Sequence, residues 1–179
     1  MAIYAGFQQQ ATNPNLYQIG VPTGALLDGA TYGAQAVTDI TVGSACYLVD
    51  NNAGLDTTVA QTKTGTQKFA GIAVRSQSTS ISWDQSQYGF GNIIPQGQNV
   101  SILTRGSIPI LLALANEAGN YPLDNSVIYA MPDGTFQSQS FGGTAPVNGN
   151  ITNFRIKQVP AGWVANGIVL VTNTQNVGA

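Results

Sequence analysis

Histidine is absent from this 179-residue chain, and with it go the commonest general base, the commonest metal ligand and the usual switch near neutral pH. Most hydrolase triads and most zinc sites are thereby excluded. Cysteine occurs once, at Cys46, so no disulfide can close within the chain. Charge is scarce: six Lys and Arg with eight Asp and Glu make 8% of the residues, against about 25% in ordinary soluble domains. The formal net charge of -2 excludes a basic domain that neutralises many phosphates, so no nucleic-acid partner is expected. No apolar run is long enough to cross a bilayer as a helix. The first basic side chain is Lys63, so nothing resembles the positive region that opens a secretory signal. Neither a membrane partner nor export is expected.

What fills the sequence instead is amide, hydroxyl and glycine. Asn and Gln together number 31, and Gly 21. A surface of this kind lacks the charge repulsion that keeps a monomer apart from its neighbours, which points to a working state covered by partners. The length suits one compact domain with a core that needs no covalent staple.

Apolar residues arrive in short bursts rich in β-branched and aromatic side chains, separated by Gly, Asn, Asp, Pro and Thr, so the expected fold is all-β. Strands are predicted over Val37 to Val42, Ala45 to Val49, Phe69 to Arg75, Val100 to Arg105, Ser107 to Leu112, Val127 to Met131, Thr135 to Gln139, Phe154 to Val159 and Gly167 to Thr172. The one stretch with helical character is Leu111 to Ala118, barely two turns long and stopped by Gly119. Hairpin turns are expected at Met131-Pro132-Asp133-Gly134, Asn148-Gly149 and Asn166-Gly167. Residues 1–33, interrupted by Gln8-Gln9-Gln10 and Asn13-Pro14-Asn15, read either as an extended arm that pairs with another chain or as a loosely ordered terminus. Residues 34–179 form the β domain, with a low-complexity insertion at 76–98 that either contacts a partner or folds back over its own rings. A faint echo links Ser44 to Asp50 with Ser126 to Asp133, each followed by a Gly-Ile strand, at Gly71 and at Gly167.

No constellation supports an active site. Asp50-Asn51-Asn52-Ala53-Gly54-Leu55-Asp56 sets hard oxygens on a turn, but a calcium loop needs glycine sixth and glutamate twelfth, where Leu55 and Gln61 stand. A polar turn is the better account. Cys46 sits in an apolar run and reads as a small buried hydrophobe. Lys63 and Lys68 lie in a solvated loop. No catalytic, cofactor or metal residue is expected. Arg105 and Arg75 each end an apolar strand, where a guanidinium can fork onto a neighbour's carboxylate or remain solvated.

The succession Gly43-Ser44-Ala45-Cys46-Tyr47-Leu48-Val49, then Phe69-Ala70-Gly71-Ile72-Ala73-Val74-Arg75-Ser76, then Val100-Ser101-Ile102-Leu103-Thr104-Arg105-Gly106-Ser107-Ile108-Pro109-Ile110, resembles the structural cement, or capsid decoration, proteins of tailed bacteriophages. The likeness extends over roughly residues 36 to 172. It implies a small β-barrel or β-sandwich with an extended N-terminal arm, made in the host cytoplasm and carried on the exterior of the virion. It further implies a non-enzymatic role, binding the outer surface of the head and stabilising contacts between major capsid subunits. The expected partners are the major capsid protein and further copies of the chain, a trimer in preference to a dimer. Expected interface residues are Tyr4, Phe7, Leu16 and Tyr17 in the arm, Trp83, Tyr88 and Phe90 in the insertion, and Arg105. The competing reading is a carbohydrate-binding host-attachment module, a fibre or spike, with Trp83 and Trp163 as an aromatic platform.

Overall fold

A computed structural model describes residues 30–49, 57–74, 93–115, 121–138 and 145–173. These residues contain no helix and form eleven strands. In chain order they are β1 (Ala30–Ala36), β2 (Ile40–Thr41), β3 (Ala45–Val49), β4 (Thr58–Ala60), β5 (Phe69–Val74), β6 (Ile93–Ile94), β7 (Asn99–Ala115), β8 (Val127–Ala130), β9 (Phe136–Ser138), β10 (Asn150–Gln158) and β11 (Gly167–Asn173). The all-β expectation holds, and the architecture is a barrel.

Nine strands belong to one sheet that closes on itself twice. The first circuit runs β1-β4-β3-β5-β7 and returns to β1. The second runs β7-β9-β8-β10-β11 and returns to β7. A 17-residue strand is long enough to serve both: Asn99 to Arg105 of β7 pair with β1, and Gly106 to Leu112 pair with β11. Where separate strands are predicted on either side of Gly106, the chain instead bends without breaking. Gly106 has φ 124°, a conformation that side chains with a Cβ resist, so glycine permits the turn from one circuit to the other.

The two circuits share one topology. β1 pairs parallel with β4, and the remaining four joins of the first ring are antiparallel. In the second ring the later half of β7 pairs parallel with β9, and its other four joins are antiparallel. Strand for strand, β3 answers to β8, β4 to β9, β5 to β10, and the first half of β7 to β11. The echo between Tyr47 and Tyr129 therefore marks equivalent strands. The Gly-Ile match does not: β5 and β11 occupy different places in their rings, and β10 is the counterpart of β5.

Each ring has its own core. Ala34, Ala36, Cys46, Val59, Ala73, Val100 and Ile102 come from all five strands of the first ring, and Ile40, Val42 and Ile94 join them. The side chains are small because five strands enclose a narrow space. The second core takes Ile108, Ile110, Leu112, Ile128, Phe136, Phe154, Ile156, Val169 and Val171 from its own strands. Ala45, Tyr47, Ile72, Val74 and Leu103 add to it from the opposite face of the first ring, which locks the rings together. Alternation along each strand produces this division: Ala45 and Tyr47 face one core, Cys46 the other.

Several expectations need correction. Leu111 to Ala115 are strand, with Leu112 opposite both Gly167 and Phe136, because a two-sided ladder satisfies more backbone groups than two helical turns; residues 116–118 lie outside the described residues. The strand predicted over Val37 to Val42 shrinks to Ile40–Thr41, while β1 takes in Ala30 to Gly33 from the segment read as an arm. Within the segment read as an insertion, Ile93 and Ile94 pair with β2. β10 begins at Asn150, four residues before the predicted start. The Met131 to Gly134 hairpin is present, with Gly134 N–H donating to Met131 O at 2.9 Å. In the two Asn-Gly turns it is Asn148 and Asn166, both at φ 62°, that take the left-handed position.

Gly71 carries the bulge that lets β5 serve both β3 and β7. Consecutive β3 residues Cys46 and Tyr47 pair with Gly71 and Phe69, so the extra residue, Ala70, lies on β5. With φ 151° and a would-be Cβ at 2.5 Å from Leu103 O and 2.6 Å from Ile102 Cγ2, no side chain fits at Gly71. Gly71→Ala is expected to lower stability by about 2–3 kcal/mol, as overpacking with backbone strain does. Urea unfolding monitored by tryptophan fluorescence should show an earlier midpoint with an unchanged slope.

Candidate functional site

The reactive side chains are locked away. Cys46 is fully buried in the first core, and burial pushes its thiol from 9.0 up to about 12, the Ala73 backbone bond opposing only in part. A thiol held protonated is no nucleophile. Tyr47 is also buried, and its phenol is pushed from 10.0 up to about 12, chiefly by burial. Its hydroxyl donates to Met131 O at 2.5 Å, tying the first ring to the β8–β9 turn. Among the described residues no three His, Cys, Asp or Glu side chains come together as metal ligands. The Asp50 to Asp56 turn lies outside them.

A cleft of about 240 Å³ opens where the rings meet, between Gly43 and Ser44 of the first ring and Leu111, Ala113 and Phe136 of the second. Gln61 crosses one side, its Oε1 accepting from the Thr41 N–H at 2.7 Å. None of the described side chains lining the cleft is ionisable.

The outward faces remain. Arg105 stands exposed on β7 opposite Ala30, next to the bend at Gly106, where solvent reaches it. Tyr4, Phe7, Leu16, Tyr17, Trp83, Tyr88 and Phe90 lie outside the described residues, as does Arg75. Trp163 is in the second core at 7% exposure, with Tyr121 edge-on at 6.4 Å. A tryptophan so covered cannot offer its face to a sugar, which removes one half of the proposed platform.

An outward row on β10 escaped the sequence reading. Ile151, Asn153, Arg155 and Lys157 are all exposed, while Thr152, Phe154 and Ile156 between them are buried. Apolar and polar residues alternate strictly only from Asn153 to Lys157, while Ile151 and Thr152 run against the pattern, the apolar residue outward and the hydroxyl inward. Starting the strand at Phe154 cut the row short, because Asn150-Ile151-Thr152-Asn153 reads as a polar turn after Asn148-Gly149. Arg155 Nη1 donates to Asn125 O at 3.0 Å, which holds the guanidinium in place.

Comparison with protein families finds that the model described as structural cement protein (E217 gp24/Pam3 gp6) matches residues 7–174. Comparison with curated proteins finds no match.

The raised Cys46 and Tyr47 values set an alkaline limit. Unfolding releases a thiol that ionises near 9 and a phenol that ionises near 10, while both stay protonated in the folded chain. Above pH 9 the unfolded state therefore binds fewer protons, and stability falls with rising pH. The contribution is complete below pH 9 and lost as pH climbs toward 12. Thermal melts at pH 8, 9, 10 and 11 should show a falling midpoint above pH 9, and a thiol reagent at pH 8 should label Cys46 only after denaturant is added.

Proposed function

The chain belongs to the structural cement protein family of phages, a family of structural virion proteins associated with the capsid, and from that premise we propose that it binds the outer surface of the head and bridges neighbouring major capsid subunits. The observation that carries the reading is the family match, which spans both rings from before β1 to the end of β11. The proposed role is non-enzymatic: cementing needs shape and area, and the one thiol of the chain is buried.

A protein that binds the assembled shell and not its separated subunits stabilises the shell by mass action. A closed double ring suits that task because it presents fixed faces and holds its shape under load. The working form is a homo-oligomer, a trimer in preference to a dimer, matching the threefold and quasi-threefold positions where three head subunits meet. Several weak contacts per oligomer then combine into lasting attachment. Synthesis takes place in the host cytoplasm, where heads assemble. The segment ahead of β1 acts as the reaching element: the stretch from Ala2 to Gly20 carries no charge, which suits it to add a strand to a neighbouring sheet edge.

Electron microscopy of heads that lack the protein, before and after adding it, tests the assignment. Added density on the outer surface, spanning subunit boundaries, is expected. Density confined to a tail or to the inner wall would overturn it. Deleting Ala2 to Gly20 should leave the melting transition in place, since the rings begin at Ala30, and should weaken head binding at least tenfold, about 1.4 kcal/mol. A deletion variant that decorates heads as well as the full chain would remove the arm from the account.

A further inference from the structure

We infer that the outward face of β10 is a docking strip for an acidic segment of a major capsid subunit, with Arg155 and Lys157 as its charged end and Ile151 as its apolar end; the inference rests on the cement reading.

Closure of the rings narrows the ways this chain can dock. Every strand of both circuits has a neighbour on each side, which leaves little edge for strand addition among the described residues, the main stretch being the side of β1 that meets β4 only at Gln35 and Ala36. Contact through the rings therefore falls mainly to outward side chains. Many of those side chains are small or amide; β7 exposes Arg105, Leu111 and Leu114, and β10 alone sets two cations beside an exposed isoleucine in one row. Its outward row spans about 20 Å from Ile151 to Lys157 at the usual rise of a strand. Ile151 is 69% exposed, and Val147 in the turn leading into the strand is 83% exposed, the two ranking among the most exposed large apolar residues described. At the other end Arg155 and Lys157, two of six cations in the whole chain, share one face two residues apart.

Their charge is unanswered among the described residues. Among the described residues no ion pair forms, and Asp124, beside Asn125, bridges to neither cation. The Asn125 carbonyl, from a residue at φ 68°, takes one N–H of Arg155 and leaves the others free. A guanidinium fixed by one bond and open at the rest is preorganised for a bidentate carboxylate, with little side-chain entropy left to lose. Apolar area beside an oriented Arg is the composition of a binding patch. A second copy docked on this face by twofold symmetry would set the cations against the Ile151 end, or against one another if the axis passed through them, and neither arrangement answers their charge, which favours a different, acidic partner.

The strip acts on contact and does not steer. A chain with net charge -2 has no field to draw an acidic partner from a distance. Loss of a desolvated pair shows in dissociation, whereas loss of a rim charge shows in association. The experiment measures both rates for the full chain on heads that lack it. Arg155→Gln with Lys157→Gln should dissociate at least tenfold faster and associate within twofold of the parent. Ile151→Ser should raise dissociation several-fold, and Lys68→Gln, on an exposed cation of the first ring, should change neither rate. Melting curves on each variant establish that it is folded, and all the substituted side chains are exposed. A double variant that dissociates within twofold of the parent would overturn the strip and leave the cement role standing. A parent chain that fails to bind heads would overturn both.

Discussion

Everything in this molecule depends on one strand being able to belong to two rings. β7 supplies a wall to each circuit, and the chain passes between them at Gly106 without losing its ladder. The bend is held by side chains that reach across it. Asn173, 7% exposed, donates its amide to Thr104 O at 2.6 Å, and Ser107 Oγ donates to Thr172 Oγ1 at 2.9 Å. These bonds satisfy groups next to the bend, where an unpaired buried carbonyl would be costly. Without the bend, a single strand could close one ring only. The other would be an open sheet with two exposed edges.

Closure then decides what kind of surface the protein can have. An open sheet of short strands invites pairing with other copies, and a structural protein made in quantity runs that risk more than most. Here the nine-stranded sheet spends its hydrogen bonds internally. Among the described strands only β2 and β6, two residues each, have unpaired sides within a separate sheet. On the proposed reading, docking of the rings onto a head is thereby separated from aggregation: the first uses side-chain faces, the second needs edges of which the described strands leave little. The duplicated topology reaches this state economically, since repeating one five-strand scheme and sharing a strand needs nine strands where two separate rings would need ten.

How much of this was legible in the sequence depended on side-chain size. β3, β5, β8 and β11 carry bulky or β-branched residues, and the predicted bounds fall within one residue of the observed ones. β1 was missed because Ala-Thr-Tyr-Gly-Ala-Gln-Ala has almost no apolar volume, and the narrow first ring is the reason it needs none. β4 is three residues long, below what any period can reveal. The Leu111 to Ala115 end of β7 carried helical propensity that a two-sided ladder overrode. The repeat was visible at Tyr47 and Tyr129 and obscured elsewhere, since Gly71 answers a bulge while Gly167 answers the close approach of Trp163, two different causes for one residue type. Of the interface residues named in advance, Arg105 alone can be placed, and the β10 row was hidden by a boundary drawn four residues late.

The poverty of charge takes on meaning once the rings are seen. Among the described residues no ion pair contributes to the fold, so the stability of the rings rests on two apolar cores and a continuous ladder, both insensitive to ionic strength. The charged groups that do serve the fold bond to neutral partners, as Asp39 does to the Gln96 N–H and Lys63 to Asn150, so their charges stay unpaired among the described residues. On a background of amides and hydroxyls even two adjacent cations define a direction, because nothing nearby competes for the carboxylate they would hold. A surface crowded with mixed charge would blur such a signal among many alternative pairs. On the proposed reading sparseness itself supplies the specificity: the fewer the charges, the more each one says about where the partner must sit.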